Sequence, residues 1–279
     1  MNKLILFAFL IFISFSLCFS QIPVEKYREE IQNLKTEKQI DDYWNRLEKI
    51  DQEMLVFMND IHESDSLSIS NMIRTALIFE IHGNQAYDQN NVVPILNLSH
   101  NWVNESQIAF WPIIEKCREV GGVIESFGGK YPAYELESIS LSFYDYSLVG
   151  QESKYPSLMK KLKEHESDYI VDSLIKSFNN LERLKELSEI NILHNWKRQS
   201  FKGTTGAGIF SFVTMSDNEV YLKRNGRIEK LILIETGINE KIFRLVNEPF
   251  GWTYVYGSEG SLSLVDEQRN ILIEYTLSK

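Results

Sequence analysis

The side chains with most chemistry to offer lie in one stretch of the chain. Between His82 and Tyr134 stand His82, Tyr87, Asp88, Asn90, Asn91, His100, Asn101, Trp102, Trp111, Tyr131 and Tyr134, a density of aromatic and hydrogen-bonding groups found nowhere else in the sequence. An imidazole titrates near neutrality, and a neighbouring carboxylate fixes its tautomer and raises its basicity. His82 and His100 lining one cleft with Asp88 and Tyr131 would therefore supply a general base or a metal ligand to a hydrolase. The plainer reading gives each histidine the end of a helix to cap, where exposed carbonyls favour a donor or a cation. Two histidines alone fall short of a metal-ligand set, so neither a metal nor a cofactor is expected.

A second group could bind rather than react. Trp252, Tyr254 and Tyr256 alternate with Thr253 and Val255, so in a strand the three aromatics share one face. If Val255 marks the core, they form an exposed patch suited to a ligand or partner. The reverse orientation buries the tryptophan, and the sequence leaves the choice open.

The familiar catalytic signatures are missing. There is no Gly-x-Ser-x-Gly elbow, no His-Glu-x-x-His and no Cys-x-x-Cys. The glycines of Gly203-Thr204-Thr205-Gly206-Ala207-Gly208 precede a strand instead of opening a helix, so they read as a flexible entry to the first strand and not as a phosphate cradle. His-Glu-Ser-Asp occurs twice, at His62 to Asp65 and His165 to Asp168, with unrelated flanks, and reads as a surface coincidence. Cys117 is the one cysteine left if the leader is removed, and a lone cysteine reads as a buried small hydrophobe.

The elements that would position these groups divide into two halves. Tyr43, Leu47, Ile50, Met54, Phe57 and Ile61 recur at helical spacing from about Asp41 to His62. Ser66, Ser68 and Ser70 offer N-caps to a following helix that stops at Gly83. A short helix is expected from Val93 to before Trp102, and another over Ser106 to Val120, which Pro112 opens or kinks and Gly121-Gly122 ends. Leu136, Ile139, Phe143 and Tyr146 form a further stripe. One long helix is expected from Pro156 to Leu184, although its phase breaks around His165 to Asp168. Composition changes near Asn195, and from Ala207 onward the pattern becomes seven short apolar runs separated by turn residues. Asn225-Gly226 joins Glu219–Lys223 to Ile228–Glu235 in a type I′ hairpin. The expected fold class is α+β: a helical domain over residues 21–195, then a small antiparallel β sandwich or open barrel over 201–279 that forms a separable unit.

Charge and the amino terminus bound the setting. The chain carries 29 basic against 39 acidic residues, which argues against a nucleic-acid partner. Lys3, the uncharged run Leu4 to Phe15, and small residues at Cys18 and Ser20 read as a signal peptide cleaved before Gln21. The apolar stretch is shorter than the roughly 20 residues a spanning helix needs, so no stable membrane anchor is expected after cleavage. Lipidation at Cys18 is disfavoured by Leu17 before it. The expectation is a secreted or periplasmic protein that binds a small molecule or a protein partner without catalysis, with an exported histidine/carboxylate hydrolase as the alternative.

Overall fold

The computed structural model describes residues 22–57, 61–88, 91–101, 103–121, 156–164, 169–191, 197–203, 209–214, 219–224, 227–246, 248 and 250–278. The leader, Asn90, Trp102, Tyr131, Tyr134, the stripe from Leu136 to Tyr146 and the second His-Glu-Ser-Asp lie outside the described residues.

Among the described residues seven α-helices come first. They are α1 (Val24–Gln32), α2 (Glu37–Phe57), α3 (Ile61–His82), α4 (Val93–Ser99), α5 (Asn104–Gly121), α6 (Pro156–Glu164) and α7 (Ile170–Asn191). Tyr27 and Ile31, one turn apart, bury the inner face of α1. A capping box starts α2: the Gln39 amide donates to Thr36 Oγ1, and Gln39 Oε1 accepts from the Thr36 amide. Helix α3 begins at Ile61, earlier than its serines suggest, so Ser66, Ser68 and Ser70 lie inside it and not at its cap. It ends where expected, because Gly83 takes a φ of 75° that a β-carbon would oppose. Pro112 sits within α5 and does not open it. The long helix expected from Pro156 is two, α6 and α7, separated where the apolar phase breaks.

Eight strands follow: β1 (Lys197–Gly203), β2 (Ile209–Thr214), β3 (Val220–Arg224), β4 (Arg227–Thr236), β5 (Glu240–Leu245), β6 (Thr253–Gly257), β7 (Leu262–Val265) and β8 (Ile271–Leu277). Each pairs antiparallel with the next, and β8 returns to β1 through Phe201↔Leu277 and Gly203↔Tyr275. The result is a closed up-and-down barrel, not a sandwich or an open one. Closure leaves no first or last edge to protect. The first strand precedes the glycine-rich segment, which therefore joins β1 to β2 instead of leading into the sheet. Arg224↔Arg227 pairing places Asn225-Gly226 at the β3–β4 turn, as its sequence requires.

The barrel interior is apolar and largely aromatic. Phe201, Phe212, Leu222, Leu231, Phe243, Tyr254, Leu264 and Tyr275 fill it, with Trp252 and Tyr256 partly buried against them. Phe212 sits edge-on to Phe201, Phe243 and Tyr254 at centroid distances of 6.0, 5.8 and 5.9 Å. Such edge-to-face packing adds about 0.5–1.5 kcal/mol per pair beyond area burial.

The halves are packed together. Phe250, in the loop after β5, is buried in the helical core and stacks at 4.8 Å on Trp252, which touches both cores. Gly251 between them has a φ of 79°, and a β-carbon there would strike the Glu267 side chain. Leu184 of α7 covers Val213, Tyr221 and Ile228 on the outer wall of the barrel. Ser157 donates to Glu267, and Lys161 to the Glu248 carbonyl. Among the described residues no helix is long and apolar enough to cross a membrane.

Candidate functional site

Helix α3 runs through the middle of the helical half, and every residue from Ser68 to Phe79 is buried. It carries polar groups into that interior, where each needs a partner. Arg74 Nη2 donates to the Tyr27 hydroxyl at 2.8 Å and Nη1 to Asn71 Oδ1 at 3.3 Å, and the guanidinium lies 4.1 Å over the Tyr27 ring. Ser70 shares a hydrogen bond with the same hydroxyl at 2.9 Å. Asn71 donates to the Leu47 carbonyl, and Asn97 of α4 to Thr75 Oγ1 at 2.6 Å. Burial pushes the nearby Tyr43 phenol up to about 12, so it stays protonated.

Within this polar seam Asp51 and His100 form a dyad. Asp51, 1% exposed, accepts from His100 Nδ1 at 2.7 Å and from the Gln52 amide at 3.0 Å, while its Oδ1 has no hydrogen-bond partner. The imidazole stands at the C-cap of α4 and is one-fifth exposed. With the proton held on Nδ1 by the carboxylate, the Nε2 lone pair is the basic one.

A cavity of about 140 Å³ opens where α3, α5 and α7 meet β4. The first turn of α5 contributes Asn104 and Glu105, α3 contributes His62, and α7 contributes Ser177, Asn180 and Arg183. Asn180 Nδ2 donates to Glu105 at 3.1 and 3.3 Å. Lys230 of β4 also lines the space and pairs with Glu219 at 2.5 Å. Aliphatic side chains supply the remainder: Val103, Leu181, Leu184, Ile228 and Val246. Ser177 is fully buried, and its Oγ has no hydrogen-bond partner. A hydroxyl in that state costs about 1–3 kcal/mol of desolvation. A more open recess of about 390 Å³ between α5, α6 and α7 shares Glu105.

The residues singled out from the sequence disperse. His82 Nε2 donates to the Ile31 carbonyl at 2.8 Å, tying the end of α3 to α1, whereas His100 turns to Asp51. Asp88 is exposed, and Tyr131 lies outside the described residues. Trp252, Tyr254 and Tyr256 point into the barrel, so they form no exposed patch, and Val255 lies on the other face. The first His-Glu-Ser-Asp is only partly on the surface: His62 is 8% exposed and Asp65 fully buried, while Glu63 is exposed. Cys117 is buried, and desolvation raises its thiol far above neutrality.

Two functional candidates escaped the sequence reading. Asp51 stands four residues after Leu47 and three before Met54, in the buried stripe of α2, while Ile50 is only half-buried. Ser177 holds the equivalent position in α7, between Leu174 and Leu181. The available clue was a polar residue at a core phase. Among the described residues, no group of three or more histidine, cysteine or acidic side chains is placed to hold a metal ion. No family model, no curated protein and no solved structure matches the chain.

Proposed function

We propose that the protein is an exported, non-enzymatic binding protein whose small-molecule site is the cavity between its helices and its barrel. The observation that carries this reading is Ser177. A fully buried hydroxyl without a partner, lining a cavity with aliphatic walls and a few polar groups, is the arrangement of a site whose last hydrogen bond comes from a guest. The described barrel interior is lined by its own buried aromatics. The acidic balance of the chain favours small molecules or proteins over nucleic acid as partners.

The test is a thermal-shift screen of small metabolites against the purified protein and Leu184→Trp, in which the indole occupies the cavity. Hits that stabilise the parent and not the variant support the site. Hits that stabilise both equally place binding elsewhere.

A second reading rests on the Asp51–His100 dyad, which orients an imidazole as a general base. Hydrolysis of activated esters that disappears in both His100→Ala and Asp51→Asn, with the fold retained, would favour it over pure binding.

A further inference from the structure

We infer that the outer wall of the barrel carries an oxyanion site, built by Arg198, Ser200, Ser211 and Lys223, which takes the phosphate or sulfate group of a small molecule, free or as a monoester. The inference does not rest on the cavity. In a chain of net charge -10, strands β1, β2 and β3 hold five basic residues, Lys197, Arg198, Lys202, Lys223 and Arg224, and no acidic one. Such a local excess of one sign draws anions to this part of an otherwise acidic protein.

Strand register brings the four groups together. Ser200 of β1 stands opposite Ser211 of β2, and Ser211 opposite Lys223 of β3, so the three form one row across the ladder. The alternation that sends Phe201, Phe212 and Leu222 into the barrel sends this row outward. Arg198, two residues before Ser200 and on the same face, donates from Nε to Ser211 Oγ at 2.7 Å. The two serine hydroxyls share a hydrogen bond at 3.2 Å. Ser211 is 1% exposed, a buried anchor that fixes the exposed guanidinium by its Nε side. No hydrogen bond or ion pair occupies the Nη groups of Arg198 or the ammonium of half-buried Lys223.

Two cations are thus held near one another with no carboxylate between them. Burial lowers the Lys223 pKa from the ordinary lysine value, and the Arg198 charge lowers it further. Like charges facing each other on a sheet destabilise it, and a bound anion turns that repulsion into attraction. The donors are a guanidinium fork, an ammonium and the Ser200 hydroxyl, carried on β1 and β3 to either side of the Ser211 anchor. A tetrahedral phosphate or sulfate has oxygens enough to answer all three, whereas a carboxylate has only two.

Thermal shift and calorimetric titration near neutral pH and at low salt use sodium phosphate, phenyl phosphate, sodium sulfate and sodium acetate, with sodium chloride at matched ionic strength. Phosphate and sulfate are expected to raise Tm and to bind at least about tenfold more tightly than acetate, which leaves a charged donor unmet. Binding of phenyl phosphate assigns the site to monoesters, and its exclusion assigns it to the free anion. Arg198→Gln and Lys223→Gln should each weaken phosphate binding at least about tenfold. Lys241→Gln, which removes the same charge from β5 across the barrel, should leave it unchanged. Without phosphate, Lys223→Gln should melt no lower than the parent, because it removes an unanswered charge and no bond; a lower Tm would give Lys223 a structural part and count against the site. Equal weakening by all three variants, or a phosphate response no greater than that to chloride, would reflect net charge alone and overturns the proposal.

Discussion

The helical half and the barrel solve burial in opposite ways. Of the sixteen buried polar or charged residues among those described, fourteen, from Asp51 to Ser177, lie in the helical half, and only Ser211 and Glu248 lie beyond it. The barrel closes over phenylalanine, tyrosine and leucine with its backbone bonds satisfied strand to strand. The helical half instead buries Asp51, Ser68, Asn97, Asn101, Gln107 and Ser177 with one polar atom of each lacking a hydrogen-bond partner. Polar burial of that kind is retained against a stability cost when it serves a site or specifies packing. Under the proposed function the barrel is scaffold, and the helices, with the wall the barrel lends them, are the working part.

The largest effect should come from the scaffold. Phe201 is fully buried at the β1–β8 closure and touches Phe212 and Tyr256 edge-on. Phe201→Ala should cost about 3–5 kcal/mol in denaturant unfolding. If the barrel is an independent scaffold, near-UV signals from its aromatics vanish first while helical far-UV ellipticity persists. A single concerted transition would instead show that Phe250 and Leu184 weld the halves into one cooperative unit, and would count against residues 201–279 as a separable domain.

A smaller effect, of opposite sign, should come from the helices. Ser68→Ala removes a buried hydroxyl that has no partner, and should stabilise the protein by up to about 1 kcal/mol. That corresponds to a rise of roughly 2–4 °C in Tm for a chain of this size. Ser177→Ala should stabilise by a similar amount and also weaken guest binding, the usual exchange between stability and function. Loss of stability in both variants would mean that these hydroxyls are satisfied in solution, and the contrast between the halves would shrink.

Why the two halves differed in legibility follows from the same contrast. Barrel strands announce themselves by period-two alternation and by turn residues, so the β3–β4 hairpin was visible at Asn225-Gly226. Closure was not, because it depends on Phe201 meeting Leu277 across 76 positions, and no local pattern encodes that pairing. In the helices, apolar periodicity located most elements and Gly83 marked the end of α3. The same periodicity hid the site, since a method that seeks hydrophobic stripes steps over Asp51 and Ser177 within them. The aromatic loop residues drew attention by type, and yet the structure gives His82 a backbone carbonyl as its partner.

The smallest effect sits where the halves meet. Glu248 is one of the two buried polar residues beyond the helical half among those described, and its carboxylate accepts the amides of Phe250 at 2.9 Å and Trp252 at 2.8 Å. Burial pushes its pKa above the ordinary carboxylate value, against the pull of those amides and of Lys161. The folded protein thus holds this proton more tightly than the unfolded chain does. Stability from this group is fully present below the unfolded pKa and is lost as pH rises through the folded one. Glu248→Gln, which cannot ionise, should flatten the stability curve in that mildly acidic interval and leave its shape elsewhere unchanged. The effect is small because amide bonds and desolvation oppose each other at one carboxylate. Urea midpoints measured across the interval decide it. A slope that persists in Glu248→Gln would assign the pH response to another group and leave this carboxylate without a part in it, the joint between the halves then resting on the apolar packing of Phe250, Trp252 and Leu184 and on the Ser157 and Lys161 hydrogen bonds.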